Sequence, residues 1–177
     1  MNSVEFNRFL ARFTAAAESG DGERFASLFT EDGVYYDYIY GVHQGRADIG
    51  HMMQNLFHRD AGEDYRWEMF DGVIDDDIGY AWSLSSFSSR IKHYQGREVV
   101  IDGMSRFVMR DGLVAEYRES VNGGVAMTQL GVPADRMTKV FERWIGWLKG
   151  RPETVAYSAR PRGERARKIL ESTTQGE

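Results

Sequence analysis

RFTAAAESGDGERFASLFTEDGVYYDY, residues 12–38, predicts the end of one helix, a second short helix and a strand in immediate succession. The first helix begins near residue 3, since apolar side chains recur at helical spacing from there: Phe6, Phe9, Leu10, Phe13 and Ala17. Gly20 ends this helix, and Asp21 is placed to cap the next one. The aromatic and β-branched residues that close the stretch are typical of a strand, which we predict over residues 34–40. Two helices therefore precede the first strand.

The middle of the chain changes from helical to strand periodicity. A third helix comes first, with Ile49, Met52, Met53 and Leu56 on one face. Four runs of alternating apolar and polar residues follow, separated by turn residues: 64–74, 78–91, 97–109 and 113–121. Helices that are segregated from consecutive antiparallel strands are the pattern of an α+β domain. We therefore predict an α+β fold in which a conical, curved, antiparallel-rich β-sheet wraps around the N-terminal helices and encloses an apolar pocket.

The composition limits the kinds of partner. The formal net charge of -5 over 177 residues argues against a nucleic acid or an anionic membrane as the main partner, because both require clustered positive charge. The chain has no cysteine, which excludes disulfides, thiolate metal sites and cysteine nucleophiles. No apolar run approaches the ~20 residues of a membrane span, and the N-terminus does not resemble a signal peptide. We expect a cytoplasmic protein with no membrane partner.

The C-terminal quarter of the chain contains one further amphipathic segment. Pro133 can begin a helix that bears Met137, Val140, Phe141, Trp144 and Leu148. We predict a single domain over residues 1–148, which includes this helix at about 134–148, and a polar basic extension over residues 149–177. Three roles stay open for the helix: it covers the pocket, packs on a neighbouring subunit or packs within the monomer.

Four stretches of the sequence together resemble the nuclear transport factor 2-like superfamily, in particular its SnoaL-like and ketosteroid isomerase-like branches. They are residues 12–38, QGRADI at 44–49, HYQGREVV at 93–100 and RFVMRDGLVAEYRES at 106–120. The resemblance implies the cone fold, a small apolar molecule as ligand and a homodimer formed through the outer face of the sheet. It leaves the reaction open, because the superfamily includes isomerases, cyclases, dehydratases, epoxide hydrolases and non-catalytic binders.

The resemblance also implies positions for the site residues. The catalytic base of the ketosteroid isomerases, an aspartate, corresponds to Asp37 in this sequence. Their two oxyanion donors correspond to Phe13 and Ser105, so neither original donor is present and a steroid-type isomerase is not expected. Further positions are implied to face the pocket: Trp82, Leu84, Phe107, Tyr117, Glu119 and Val121. Strand alternation adds Tyr35, which lies on the same face as Asp37.

Asp37 and Glu119 are the candidate catalytic pair. A buried carboxyl has a raised pKa, which makes Asp37 a usable base, and two carboxyls in one apolar pocket tend to divide into an acid and a base. The alternatives are a solvent-exposed or turn-capping Asp37, and a Glu119 that forms a salt bridge with Arg106 or Arg118.

No cofactor or metal is predicted. The sequence contains no glycine-rich nucleotide motif, and His43, His51 and His58 lack the spacing of metal ligands. We predict a cofactor-independent isomerase, cyclase or dehydratase-type enzyme that acts on an apolar polycyclic or ketone-like molecule. Two alternatives stay open: a non-catalytic ligand-binding or accessory protein, and a scaffold that associates through its open sheet face.

Overall fold

The computed structural model describes residues 1–174 and divides by internal contacts into two compact units, between Val132 and Pro133. This division lies before the helix that the sequence analysis included in the domain. The helices of the first unit are α1 (Ser3–Glu18), α2 (Gly22–Ala26), α3 (Arg46–His51), α4 (His58–Ala61) and α5 (Gly123–Gln129). Its strands are β1 (Phe29–Asp37), β2 (Gly41–Gln44), β3 (Arg66–Asp75), β4 (Ile78–Ser88), β5 (Glu98–Arg110) and β6 (Leu113–Val121). A π-helical segment, Met52–Phe57, joins α3 to α4.

The six strands form one sheet in the order β2-β1-β6-β5-β4-β3. Every neighbouring pair is antiparallel except β1 and β6, which are parallel. The four strands predicted from alternation are β3 to β6, so that prediction is confirmed. Irregular register at Phe70–Val73 and at Val108–Met109 interrupts the ladders, and such bulges bend and twist strands. The result is the predicted α+β fold with a curved, open sheet.

Helix α1 lies on the concave face of the sheet because one side of it is apolar and carries three phenylalanines. Asn2 caps its first turn by accepting the N–H of Glu5, and the Glu5 carboxylate accepts the N–H of Asn2, a complete capping box. The apolar side is buried: Phe6, Phe9, Leu10, Phe13, Ala16 and Ala17. These rings meet aromatic side chains from α2 and from the sheet in a continuous core.

The segment after α2 differs from its sequence prediction. The strand predicted over residues 34–40 is β1, which begins earlier, at Phe29, and ends at Asp37, and residues 41–44 form a further strand that was not predicted. β2 pairs with β1 through the Cα partners Tyr35 and His43. The Arg46 guanidinium donates to the Phe29 carbonyl at 2.8 Å and anchors the start of β1 to the start of α3. A tertiary contact therefore extends β1 beyond the residues for which strand propensity alone predicts a strand.

Helix α5 was not predicted, because Asn122-Gly123-Gly124 is typical of a turn that ends a strand. In the structure Asn122 is its N-cap and accepts the N–H of Val125 at 3.3 Å. The buried side chains of Ala126 and Leu130 pack with Val99 of β5 in a second, small cluster. This packing compensates for the low helix propensity of glycine.

Phe13→Ala is expected to lower the free energy of unfolding by about 3–5 kcal/mol, the range for deleting a fully buried aromatic ring. Phe13 has no solvent exposure, and its ring contacts six other aromatic rings: Phe9, Phe25, Phe29, Trp67, Phe107 and Tyr117. Urea unfolding measures the loss, with the exposed Val4→Ala in the same helix as the matched control. A loss of less than about 1 kcal/mol would contradict the packing described for this ring.

The second unit is helical in the part that the structure describes. It contains α6 (Ala134–Gly150), α7 (Pro152–Ala159) and α8 (Glu164–Thr174). The helix predicted at about 134–148 is present, and the described part of the predicted basic extension contains two further helices, α7 and α8. Within residues 1–174, none of the helices combines the length and the apolar character needed to cross a bilayer.

Candidate functional site

Asp37 is the last residue of β1 and is buried on the same face of the sheet as Tyr35. Its Oδ1 accepts the backbone N–H groups of Ile39 and Tyr40 at 2.6 and 2.7 Å, which fixes the turn between β1 and β2. Burial raises the pKa of Asp37, while these two N–H donors and the nearby His43 oppose the rise. The carboxyl therefore caps a turn and also lies in the interior, two roles that the sequence analysis treated as alternatives.

Glu119 is partly buried on the inner face of β6, where it pairs with Ser105 of β5. The Tyr117 hydroxyl donates to its Oε2 at 3.2 Å and lies 2.9 Å from the Ser105 hydroxyl. Burial and the negative charge of Asp37 raise the pKa of Glu119 to about 8. Two carboxyls and two hydroxyls thus occupy one end of the concave face.

The alternative interpretation, in which Glu119 forms a salt bridge with Arg106 or Arg118, is wrong. Arg106 and Arg118 both form ion pairs with Glu116, at 2.8 and 2.9 Å. Strand alternation explains why the arginines pair with Glu116, because Glu116 and Arg118 lie on the opposite face of β6 from Glu119. The arginine charges therefore do not neutralise Glu119.

Three buried tyrosines surround the carboxyl pair. Tyr35, Tyr65 and Tyr117 each have a pKa well above the usual value, first because of burial and next because of the charge of Glu119. Their hydroxyls stay protonated at neutral pH and can donate hydrogen bonds. The Tyr35 and Tyr117 rings are in contact, with centroids 4.6 Å apart. This end of the interior therefore combines aromatic rings with hydroxyl donors.

Sequence reasoning missed His43 as a member of this site. Its ring is buried, and its Nδ1 lies 3.1 Å from Oδ1 of Asp48, whose Oδ2 accepts the N–H of Gln44 at 3.0 Å. His43 and Asp37 occupy diagonal positions on one face of the β1–β2 hairpin, so their side chains are close enough to interact. The buried Nε2 has no hydrogen-bond partner among residues 1–174. No local pattern indicates the burial of His43, because it depends on the pairing of β2 with β1.

The Asp48 carboxylate favours the His43 tautomer with hydrogen on Nδ1, which leaves Nε2 as an acceptor. Asp48→Asn is expected to reduce the population of that tautomer, because the amide can also offer its N–H₂ group to Nδ1. Long-range ¹H–¹⁵N spectra of the imidazole measure the tautomers directly. His51→Ala, which removes a helix-surface histidine, serves as the control, and an unchanged His43 spectrum in Asp48→Asn would contradict the orientation described.

The sequence matches the SnoaL-like domain model over residues 10–117, more than half of the chain. This chain belongs to the SnoaL-like domain family. The match ends at Tyr117, so it covers the base position Asp37 but stops short of Glu119. No curated protein sequence gave a significant match to this SnoaL-like protein.

Solved structures resemble the SnoaL-like chain in fold. A protein with a ketosteroid isomerase-like fold from Catenulispora acidiphila, in complex with trimethylamine, is 15% identical, with a TM-score of 0.64 over 72% of this chain and 95% of that one. A candidate SnoaL-like polyketide cyclase from Jannaschia is 12% identical, with a TM-score of 0.62 over 74% and 94%. An epoxide hydrolase of M. tuberculosis is 15% identical, with a TM-score of 0.58 over 72% and 90%. At these identities the likeness establishes the nuclear transport factor 2-like fold alone.

Two of the predicted pocket residues of this SnoaL-like protein lie on the outer face. Trp82 is 39% exposed and its ring contacts that of Phe70 across β3 and β4, while the small inward positions of β4 include Ala81 and Ser83. Leu84 shares the face of Trp82 by alternation and pairs with the exposed Glu68. The predicted inward direction was therefore wrong for both residues. It failed because both positions were taken from the family resemblance, and an offset of one residue exchanges the two faces of a strand.

The other predicted pocket residues lie on the inner side. Phe13 and Phe107 are fully buried in the aromatic core, and Tyr35, Ser105 and Tyr117 lie beside the carboxyl pair. Val121 follows Glu119 on the same face of β6 and pairs with Gly103. Contact of these side chains with a ligand stays a prediction, as does the homodimer through the outer face.

Proposed function

We propose that this SnoaL-like protein is a cofactor-independent enzyme that moves a proton on a small apolar molecule with a ketone-like group. The observation that carries the proposal is the pair of inward carboxyls, Asp37 and Glu119, whose surroundings differ. Two carboxyls whose environments separate their pKa values are a recurring arrangement for acid–base catalysis. The reaction class is an isomerisation, cyclisation or dehydration.

Asp37 acts as the base in this proposal. Two backbone N–H donors stabilise its charge, whereas Glu119 receives a single hydroxyl donor. The pair therefore holds one negative charge on Asp37 and one proton on Glu119 near neutral pH. Asp37 takes a proton from the carbon next to the carbonyl, and the electron pair of that C–H bond moves to the carbonyl oxygen.

Glu119 acts as the acid. Its neutral carboxyl donates to the oxygen on which charge develops, and so takes the place of the family's original oxyanion donors, whose positions are occupied by Phe13 and Ser105 in this chain. The Tyr117 hydroxyl, held between Glu119 and Ser105, keeps the Glu119 carboxyl in place. The unpartnered Nε2 of His43 is an acceptor for a hydroxyl of the substrate or of the intermediate.

The proposed substrate class follows from the side chains that surround Asp37 and Glu119. Tyr35, Tyr65 and Tyr117 offer aromatic faces and protonated hydroxyls, and no lysine or arginine within residues 1–174 is buried to recognise an anionic group. This composition favours an uncharged, polycyclic or aromatic ketone over a phosphorylated or carboxylated metabolite.

A ligand screen followed by a turnover assay tests the proposal. Uncharged ketones, lactones, epoxides and steroids are screened by thermal shift, since a ligand that binds the folded state raises the melting temperature. Each stabilising compound is then incubated with the protein and analysed for conversion. Conversion of a ketone-bearing compound supports the enzyme. Ligands that bind without any conversion favour the alternative, a non-catalytic binder of the same fold.

A further inference from the structure

The net acidic charge of the chain is the sum of two segments whose net charges have opposite signs. Residues 1–132 contain 12 Arg and Lys and 21 Asp and Glu, whereas residues 133–174 contain ten Arg and Lys and five Asp and Glu. The net charge of the whole chain therefore does not describe the second segment, whose excess of basic residues favours an anionic surface. A basic patch confined to one unit can bind an anionic surface even in an acidic protein.

Helix α6 is strongly amphipathic and has no buried residue. Its apolar side chains recur at i, i+3, i+4, i+7 and i+8, the spacing of a single helical stripe: Met137, Val140, Phe141, Trp144, Ile145, Trp147 and Leu148. The C-terminal half of the stripe is the most open, with Ile145, Trp147 and Leu148 exposed by 49%, 41% and 47%. A stripe of this width on a helix without buried residues requires an apolar environment to cover it.

The remaining helices of this unit repeat the combination of exposed apolar and basic side chains. Val155 and Tyr157 of α7 and Ile169 and Leu170 of α8 are all more than half exposed. Arginines lie over the aromatic rings, with the Arg143 guanidinium 5.2 Å from the Trp147 ring and the Arg160 guanidinium 5.9 Å from the Tyr157 ring. Rings with a polar edge, flanked by long cationic side chains, suit the boundary between lipid tails and headgroups.

We infer that residues 133–174 form an interfacial binding unit for a membrane surface rich in anionic lipid. The apolar stripe of α6 enters the headgroup boundary, and the surrounding arginines and lysines contact the lipid phosphates. A nucleic acid would satisfy the positive charge but would leave the apolar stripe in water. A neutral apolar surface would satisfy the stripe but would leave the charge excess without a partner. An anionic bilayer satisfies both features.

Vesicle sedimentation with the full chain tests this inference. Vesicles of phosphatidylcholine alone are compared with vesicles that contain 30% phosphatidylglycerol, a probe composition. The wild-type protein is expected to bind the anionic vesicles at least about tenfold more strongly, and 0.5 M salt is expected to remove most of the difference. Equal binding to the two vesicle types, or no binding to either, would overturn the inference.

Matched variants identify the surface involved. Trp147→Ala is expected to weaken binding to anionic vesicles by about tenfold, because it removes a large ring from the stripe. Trp82→Ala removes a tryptophan of nearly equal exposure from the sheet of the first unit and is expected to leave binding unchanged. Arg143→Gln is expected to weaken binding by about fivefold, the equivalent of one basic residue at an anionic surface.

A second copy of the chain is the competing occupant of the stripe. Sedimentation velocity over a range of protein concentrations distinguishes it from lipid. Self-association that Trp147→Ala abolishes, in a protein that does not bind vesicles, would overturn the inference in favour of a dimer. The test uses no substrate, so its outcome is independent of the proposed enzymatic function.

Discussion

Asp37→Asn is expected to lower the turnover of a converted ligand by about 10²- to 10⁴-fold, the usual contribution of a general base. The amide has the shape of the carboxylate but cannot accept the proton. Its Oδ1 can still accept the N–H groups of Ile39 and Tyr40, so the turn after β1 is retained. Ligand affinity, measured by thermal shift or calorimetry, is expected to change by no more than a few-fold.

Asp102→Asn is the matched control for this experiment. Asp102 is an exposed residue of β5, and the same substitution there removes one charge without touching the interior. Its turnover is expected to equal that of the wild type. Full turnover in Asp37→Asn, with unchanged affinity, would show that Asp37 only caps the turn, and the proposed base would have to be sought elsewhere in the site.

Much of the fold could be predicted because local patterns and tertiary contacts agree in α1 and in β3 to β6. The periodicity of Phe6, Phe9 and Phe13 coincides with the face that the sheet covers, and the Asp111-Gly112 turn suits the β5–β6 hairpin. The sequence patterns were least informative where a contact between distant segments decides the structure. The parallel pairing of β1 with β6 and the extension of β1 to Phe29 depend on such contacts.

The site could be predicted only in part for a related reason. Asp37 and Glu119 are polar residues on otherwise apolar strand faces, and this contrast is visible in the sequence. His43 had no such contrast, because its burial depends on β2 pairing with β1. Trp82 was placed inward by its position in the family resemblance, whereas the structure has Gly79 and Ala81 on the inner face of β4, where Phe6 of α1 packs closely on Gly79.

Glu119→Gln is expected to remove a pH dependence of stability that the wild type shows between about pH 4.5 and pH 8. Burial and the charge of Asp37 raise the pKa of Glu119 from 4.5 to about 8 in the folded state. In that interval the folded chain binds more protons than the unfolded chain, so the free energy of unfolding falls as the pH rises, by at most about 1.4 kcal/mol per pH unit. Glutamine carries no titrating proton, so the variant is expected to gain stability relative to the wild type as the pH increases.

The same substitution is expected to change the pH profile of turnover. The wild type should lose activity above about pH 8, where Glu119 loses the proton that it offers to the substrate oxygen. Glu119→Gln should turn over at least about 10²-fold more slowly, because an amide donates a hydrogen bond but cannot release a proton. Its residual activity should lack the decline above pH 8.

Urea unfolding at pH 5, 7 and 9, together with the pH–rate profile, separates the two effects, with Glu116→Gln on the outer face as the control. A wild-type stability that does not fall between pH 5 and pH 8 relative to Glu119→Gln would place the Glu119 carboxyl in solvent, and a neutral acid would then be absent from the site at neutral pH.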